Sequence, residues 1–251
     1  MTLSDFFAAH PKAALAYSGG TDSAYLLYAA LKAGADIRPY YICSQFQPDF
    51  ERQDALRLGA ELGAEPVVIE LDVLSCPGIA ENPPERCYLC KKRIMGAIKN
   101  AAACDGYEIL LDGTNASDAA EDRPGMRVLS EEGVLSPLRL CGLTKPEIRA
   151  LSHGAGLFTA YKPAYACLAT RIPAGEVITR EKLRRIEKSE DILARMGFSD
   201  FRARLRGGRA LLQFTGEDLP RAERELPELK KALAAYFDEI SIDPIERRKS
   251  L

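Results

Sequence analysis

The sequence is short of the features that most quickly fix a role. Only His10 and His153 are histidines in 251 residues, which leaves little room for a histidine-centred mechanism. No charge of one sign dominates: 34 basic residues stand against 36 acidic ones, for a formal charge of −2. That balance argues against a general nucleic-acid surface, although local basic patches remain open to it. No apolar run approaches the length of a membrane span. Residues 1–12 lack a basic stretch followed by a long apolar one, so no signal peptide is expected. Internal repeats and low-complexity segments are absent too. The seven cysteines are an odd number in a chain too large to need disulfides as staples. They point to a reducing cytoplasm, with thiols serving a metal or chemistry. What is plentiful is apolar material, 47% of residues, enough for one large domain or a large one with a small one.

The chain is organised around Ala13-Ala-Leu-Ala-Tyr-Ser-Gly-Gly-Thr-Asp-Ser23. Residues 13–17 read as a short buried strand, 18–23 as a tight loop and 24–32 as a helix. Such a strand, loop and helix N-terminus make an anion site, because backbone N–H groups point outward and the helix dipole favours negative charge. Gly19 and Gly20 let the backbone approach a phosphate and allow positive φ. Ser18 and Ser23 add hydroxyls. Asp22 is acidic beside a phosphate, and holding a metal ion or a backbone N–H would account for it. No Gly-Lys-Ser/Thr follows, so this is not a Walker loop, nor is it G-x-G-x-x-G. A serine-glycine turn at a helix start is the plain alternative.

Further strands over 37–43, 66–71 and 108–111 alternate with helices over 49–62 and from Cys87 to about Ala103. This predicts a parallel sheet covered on both faces. Ligands of such sheets bind outside the carboxyl ends of the strands, where Ser18, Ser44 and Asp112 fall. Ser44 would cradle a nucleotide or cap a loop. Asp112 would bind a metal, position ATP or cap a turn. Thr144-Lys-Pro-Glu147 has the spacing of a capping box. His153 before Gly154 reads as a helix C-terminal residue rather than a ligand.

Cys87 and Cys90 follow Pro83-Pro84 and should share one face in the first turns of their helix. They are either small core residues or a thiolate pair favoured by the helix N-terminus and available to a metal. Two ligands need more from elsewhere. Cys167 has Lys162 and Arg171 nearby in sequence, and positive neighbours favour thiolate; a buried inert cysteine is the alternative.

From Glu176 the charge is denser. Thr179 caps a helix to about Met196, with an apolar stripe of Leu183, Ile186 and Leu193. Glu190 falls in that stripe's register, as a partnered ion at a core edge or, the favoured reading, a site residue. Residues 201–205 alternate, so Arg202 and Arg204 share one strand face. Side by side they suit a phosphate, or else form a solvated outer face. Gly207-Gly208 turns the chain into a paired strand over 209–214. A mostly helical stretch over 219–237, a strand over 239–242 and a frayed tail from Arg247 close the chain.

Taken in order, Ser18-Gly-Gly-Thr-Asp-Ser23, Arg86-Cys-Tyr-Leu-Cys-Lys91, Asp112-Gly-Thr-Asn115, Arg123-Pro-Gly125 and Ala166-Cys-Leu-Ala-Thr-Arg171 resemble the motifs of the LarE family. These are ATP-dependent sulfur transferases that help build the nickel-pincer cofactor of lactate racemase. The first motif resembles that of all PP-loop ATP pyrophosphatases, which split ATP between the α and β phosphates; the cysteine motifs narrow it. The resemblance covers nearly the whole chain, with Thr21 standing where valine is usual. It implies an α/β fold: a Rossmann-like PP-loop domain with a parallel sheet over 1–175. A smaller C-terminal α+β domain over 176–251 would serve substrate phosphate binding and oligomerisation.

The resemblance also implies a reaction. A pyridinium mononucleotide carboxylate attacks the ATP α-phosphorus, pyrophosphate leaves into the loop, and a sulfur nucleophile displaces AMP to give a thiocarboxylate. Ser18, Gly19, Gly20, Asp22, Ser23, Ser44 and Asp112 would hold ATP, with Mg²⁺ offsetting its charge. Arg202 and Arg204 match substrate phosphate-binding arginines, and Glu190 matches an acidic residue facing the sulfur site. The family has two sulfur sources. In one, the cysteine matching Cys167 gives up its own sulfur and becomes dehydroalanine. In the other, three cysteines matching Cys87, Cys90 and Cys167 hold a [4Fe-4S] cluster whose open iron carries a sulfide. The second is favoured here, because both Cys87 and Cys90 are present. Implied partners are a second copy of the chain and a sulfide source or cysteine desulfurase, with neither membrane nor nucleic acid. Two other readings stand. One is a different PP-loop enzyme, a tRNA thiolase or amide-forming ligase, disfavoured because no RNA-binding or glutaminase domain is visible. The other is a non-catalytic ATP sensor with Cys87 and Cys90 on a structural zinc.

Overall fold

The computed structural model describes residues 1–118 and 124–247. Arg123 of the Arg123-Pro-Gly125 motif lies outside them, as does the tail after Arg247. The chain divides into two compact units, one of residues 1–73 and 85–162, the other of 74–84 and 163–251.

The first unit runs α1 (Leu3–Ala9), β1 (Lys12–Ala16), α2 (Thr21–Lys32), β2 (Asp36–Cys43), α3 (Asp49–Glu61) and β3 (Val67–Glu70). After the excursion into the other unit come α4 (Arg86–Cys104), β4 (Leu110–Asp112), α5 (Pro124–Glu131), α6 (Pro137–Leu140) and α7 (Lys145–Gly154). The four strands form one sheet in the order β3-β2-β1-β4, and every pairing is parallel. Because side chains alternate along a strand, β1 serves two cores. Ala13 and Leu15 pack with Leu26, Leu27, Ala55, Leu58 and Ile148 on one face. Ala14 packs with Tyr40, Met95, Ile98 and Val128 on the other. The strands are therefore apolar on both sides, as a parallel sheet covered by helices requires. Truncating Leu15 or Leu27, both fully buried, removes contacts worth about 2–5 kcal/mol.

The strand order fixes where a ligand can enter. The chain starts in the middle of the sheet, winds outward through β2 to β3, and returns by α4 to add β4 on the other side of β1. Winding thus reverses between β1 and β4, and the loops leaving their carboxyl ends open a crevice there. No described helix is long and apolar enough to cross a membrane.

The second unit contains α8 (Arg180–Arg195), β5 (Phe201–Arg206), β6 (Arg209–Phe214), α9 (Leu219–Arg224), α10 (Leu226–Leu233) and β7 (Ile240–Ile242). Strands β5 and β6 form an antiparallel hairpin, and β7 adds parallel to β6. Gly207 and Gly208 turn the hairpin with φ of +54° and +87°, the left-handed pair that a two-residue turn demands. The stretch 219–237 is mostly helical, as expected, and it divides at Glu225, because Pro227 falls in the first turn of α10 and has no N–H to continue a preceding helix.

The first compact unit ends at Lys162, and 74–84 belongs with the second. The charge-rich texture from Glu176 announces α8, whereas the chain has already left the first unit at Pro163. Asn82 holds the 74–84 excursion in place. It is buried with φ of +55°, its side chain donates to the Pro173 carbonyl at 2.7 Å, and its own carbonyl accepts from Gly175 N at 2.7 Å. Arg247 is not frayed: its N–H donates to the Phe214 carbonyl at 2.9 Å and its guanidinium to Asp200 Oδ1 at 2.6 Å.

Candidate active site

The loop after β1 is built as an anion cradle. Helix α2 starts at Thr21 with Gly20 as its cap residue, so the helix begins earlier than its apolar pattern indicates. The N–H groups of Thr21, Asp22 and Ser23 are first-turn donors with no intrahelical partner. Gly19 has φ of +72°, and a Cβ there would lie 2.6 Å from Ala55 Cβ on α3. Only glycine meets both conditions. The two serines brace the loop: Ser18 Oγ and Ser23 Oγ are 3.1 Å apart, Ser18 N donates to Ser23 Oγ at 3.3 Å, and Gly20 N donates to Ser18 Oγ at 3.3 Å. Thr21 donates its hydroxyl to the Thr159 carbonyl at 2.8 Å.

Asp22 pairs with Lys145 Nζ at 2.6 Å. Its Oδ1 is buried with no hydrogen-bond partner among the described residues. A buried carboxylate oxygen left open is costly unless something occupies it, and a cation is a suitable occupant. Lys145 was missed by sequence reasoning. Its only signal was its place just inside the capping box, where Glu147 accepts from the Thr144 N–H at 2.8 Å.

Across the crevice, Asp112 ends β4. Its carboxylate accepts from Thr114 N at 3.3 Å, Thr114 Oγ1 at 2.5 Å and Ser136 Oγ at 2.6 Å, which is the turn-capping role. Lys91 Nζ lies 3.9 Å away, and burial pushes that ammonium below the usual lysine range. Gly113 permits the two loops to meet: a Cβ there would sit 2.9 Å from Ser23 N. Ser44 donates to Gln47 Oε1 at 2.5 Å and accepts from Phe46 N at 3.3 Å, so it holds its own loop. That loop edges an open cleft of about 420 Å³ lined by Cys43, Ser44, Gln45, Glu70, Leu71 and Asp72, at the carboxyl ends of β2 and β3.

None of the seven cysteines is in a disulfide. Cys87 and Cys90 lie in the first turns of α4, the former exposed and the latter half-buried, so neither is a core residue. Arg86 donates to Cys87 Sγ at 3.5 Å. Cys167, half-buried, belongs to the second unit. Among the described residues no three His, Cys, Asp or Glu side chains are gathered as for a metal ion. The cations read beside Cys167 are already paired. Lys162 lies 3.0 Å from Glu51 and 2.8 Å from Asp54, and Arg171 engages Glu190.

In the second unit Arg202 and Arg204 do share a face, but it is not a solvated one. Arg202 is 5% exposed; it donates to the Phe201 carbonyl at 2.6 Å and the Ala164 carbonyl at 2.7 Å, and lies over the Tyr165 ring. Arg204, half-buried, donates to Gln213 Oε1 at 2.5 Å and the Thr170 carbonyl at 2.9 Å. Burial, helped by neighbouring Arg171 and Arg247, pulls the Arg202 guanidinium down to about 10 and lowers Arg204 as well. Asp200 shares its carboxylate between Arg202, at 3.4 Å, and Arg247, at 2.6 Å, so the arginines here outnumber their nearest carboxylates and the remaining charge suits an anion. Glu190 is committed elsewhere. Its carboxylate takes Arg171 Nε at 2.9 Å, Arg171 Nη2 at 3.0 Å, Ala203 N at 2.9 Å and the Tyr165 hydroxyl. Those four bonds fill its acceptor sites, which makes it a holder of Arg171 and Tyr165 rather than a free base.

A parallel sheet whose winding reverses beside a Ser-Gly-Gly-Thr-Asp-Ser loop defines an α/β protein of the PP-loop class. No protein-family model matches the chain. Curated relatives do. An uncharacterized Synechocystis protein is 33% identical over 86% of this chain and 81% of its own length. The pyridinium-3,5-bisthiocarboxylic acid mononucleotide synthase of Lactiplantibacillus plantarum is 33% identical over 76% of this chain and 70% of its own. A glutamine-hydrolysing GMP synthase of Aeropyrum pernix is 28% identical over 72% of this chain, which spans 39% of that larger enzyme. The chain belongs to the LarE family, that of the pyridinium-3,5-bisthiocarboxylic acid mononucleotide synthase, and is an enzyme of this kind.

Proposed function

We propose that this enzyme activates a carboxylate of a pyridinium mononucleotide with ATP and replaces one carboxyl oxygen by sulfur. The observation that carries the reading is the braced loop at the sheet's reversal point, with first-turn N–H donors and Asp22 beside them. In the first step a carboxylate oxygen bonds to the ATP α-phosphorus, and the bond to the bridging oxygen breaks. Pyrophosphate leaves with that electron pair into the loop of Ser18, Gly19, Gly20 and Ser23, where backbone N–H groups receive its charge. The open Oδ1 of Asp22 suits Mg²⁺, which would offset phosphate charge. Asp112 and Ser44, each held by its own loop at a strand's carboxyl end, would line the nucleotide side of the crevice. In the second step sulfur bonds to the acyl carbon and AMP leaves with the electron pair. Arg202 and Arg204 would hold the mononucleotide phosphate.

For sulfur delivery, thiol donors suit a [4Fe-4S] cluster, and Cys87, Cys90 and Cys167 would hold it; bound there, it would supply a sulfide from its open iron. The test is Cys87→Ala. Loss of thiocarboxylate with AMP formation intact supports this delivery. One turnover per chain, with Cys167 found as dehydroalanine by mass spectrometry, would assign the sulfur to Cys167 instead. Pyrophosphate release on adding ATP and the acid tests the enzyme as a whole, and its absence would favour an ATP sensor.

A further inference from the structure

Arg171 and Arg204 of the second unit are held in different ways. Arg171 meets a carboxylate directly, in a two-pronged pair with Glu190. Arg204 does not. Gln213 stands between it and Asp243, accepting from Arg204 Nε through Oε1 at 2.5 Å and donating through Nε2 to Asp243 Oδ2 at 2.7 Å. The amide's orientation is fixed by its neighbours, because a guanidinium can only donate and a carboxylate can only accept. The hairpin register explains why Gln213 reaches Arg204. Gln213 is paired with Arg202, which makes it a diagonal neighbour of Arg204 on the same face. Asp243 is itself anchored: its N–H donates to the Leu212 carbonyl at 2.8 Å and its Oδ1 accepts from Ile245 N at 3.0 Å. With Nε given to Gln213 and Nη1 to the Thr170 carbonyl, Nη2 of Arg204 has no partner among the described residues.

We infer that Gln213 is a positioning residue that orients Arg204 without neutralising it, and so sets the preference for a phosphorylated substrate. A neutral amide fixes the guanidinium plane as a carboxylate would, but keeps the negative charge of Asp243 one side chain away. Arg204 then keeps a full positive charge and an open Nη2 for a phosphate oxygen. The inference rests on the proposed role of Arg202 and Arg204 in holding that phosphate.

The informative variant is Gln213→Glu combined with Asp243→Asn. It preserves each hydrogen bond and the total charge, and moves the negative charge next to Arg204. Binding to the full chain is measured by calorimetry with nicotinic acid mononucleotide and with its dephosphorylated riboside. The expected result is a loss of about tenfold or more for the mononucleotide, no change for the riboside, and an unchanged melting temperature. Mononucleotide binding equal to wild type would overturn the inference. If the double variant fails to fold, Asp243→Asn alone decides. It should bind the mononucleotide within about twofold of wild type, since that charge is kept from Arg204, and a loss as large as that of Arg204→Ala would overturn the inference. Arg204→Ala separates the two levels. If it binds the mononucleotide normally, the arginine pair does not hold the phosphate at all. If it loses binding while the charge-moving variant does not, only the role of Gln213 fails.

Discussion

Asp22 and the arginine pair carry the chemistry at the scale of single residues. Asp22→Ala should abolish pyrophosphate formation while the chain stays folded, because Lys145 loses one partner but keeps 16% of its side chain in contact with solvent. A folded variant that still forms AMP would remove Asp22 from the mechanism. Replacing Arg202 or Arg204 by alanine should weaken mononucleotide binding far more than ATP binding, by about 1.5–3 kcal/mol for a charge-assisted bond. The pH dependence follows from Arg202, whose pKa lies near 10. Protonated Arg202 is the binding form, so mononucleotide affinity should be flat from neutral pH to about 9 and fall as pH passes through 10. An affinity unchanged beyond pH 11 would mean that Arg202 keeps its proton there, and Arg202→Ala then decides whether it contacts the anion.

At the scale of elements, α3 and the segment after α7 both press on the phosphate loop. Ala55 backs Gly19, Tyr17 donates its hydroxyl to the Ala55 carbonyl at 3.2 Å, and Lys162 reaches Glu51 and Asp54 one turn away. Gly19→Ala combines a positive φ with a 2.6 Å clash. It should cost about 1–3 kcal/mol in stability by urea titration, and pyrophosphate formation should fall with it. Burial holds the Glu51 carboxyl above the usual glutamate range, and Lys162 pulls it back only in part. A carboxyl whose pKa rises on folding binds more protons in the native state. Its stabilising contribution is therefore full below the ordinary glutamate pKa and is lost as pH rises through the native value. The stability difference between wild type and Glu51→Gln should shift against wild type across that window; a pH-independent difference would show an ordinary pKa.

At the scale of the whole molecule, the sequence made the first unit legible and the second only in outline. Period and glycine placement located β1, the loop and α2, because a buried parallel strand and a phosphate cradle each demand particular residues locally. The hairpin of β5 and β6 was legible for the same reason. Lys145, Gln213 and the 74–84 excursion were not, since each acts through a partner far along the chain. Asp22 meets Lys145 across 123 positions and Arg204 meets Gln213 only once the strands pair. Glu190 shows the limit most clearly. Its register suggested a site residue, but only the fold reveals that four donors already occupy it. The central claim is that a substrate carboxylate attacks the α-phosphorus of ATP. The most direct measurement uses a pyridinium mononucleotide carrying ¹⁸O in its carboxylate, with ATP, Mg²⁺ and a sulfide source, and reads the nucleotide by mass spectrometry. The expected result is AMP bearing one ¹⁸O atom, with unlabelled pyrophosphate and a thiocarboxylate that keeps the other oxygen. Unlabelled AMP, or ADP with inorganic phosphate in its place, would contradict it.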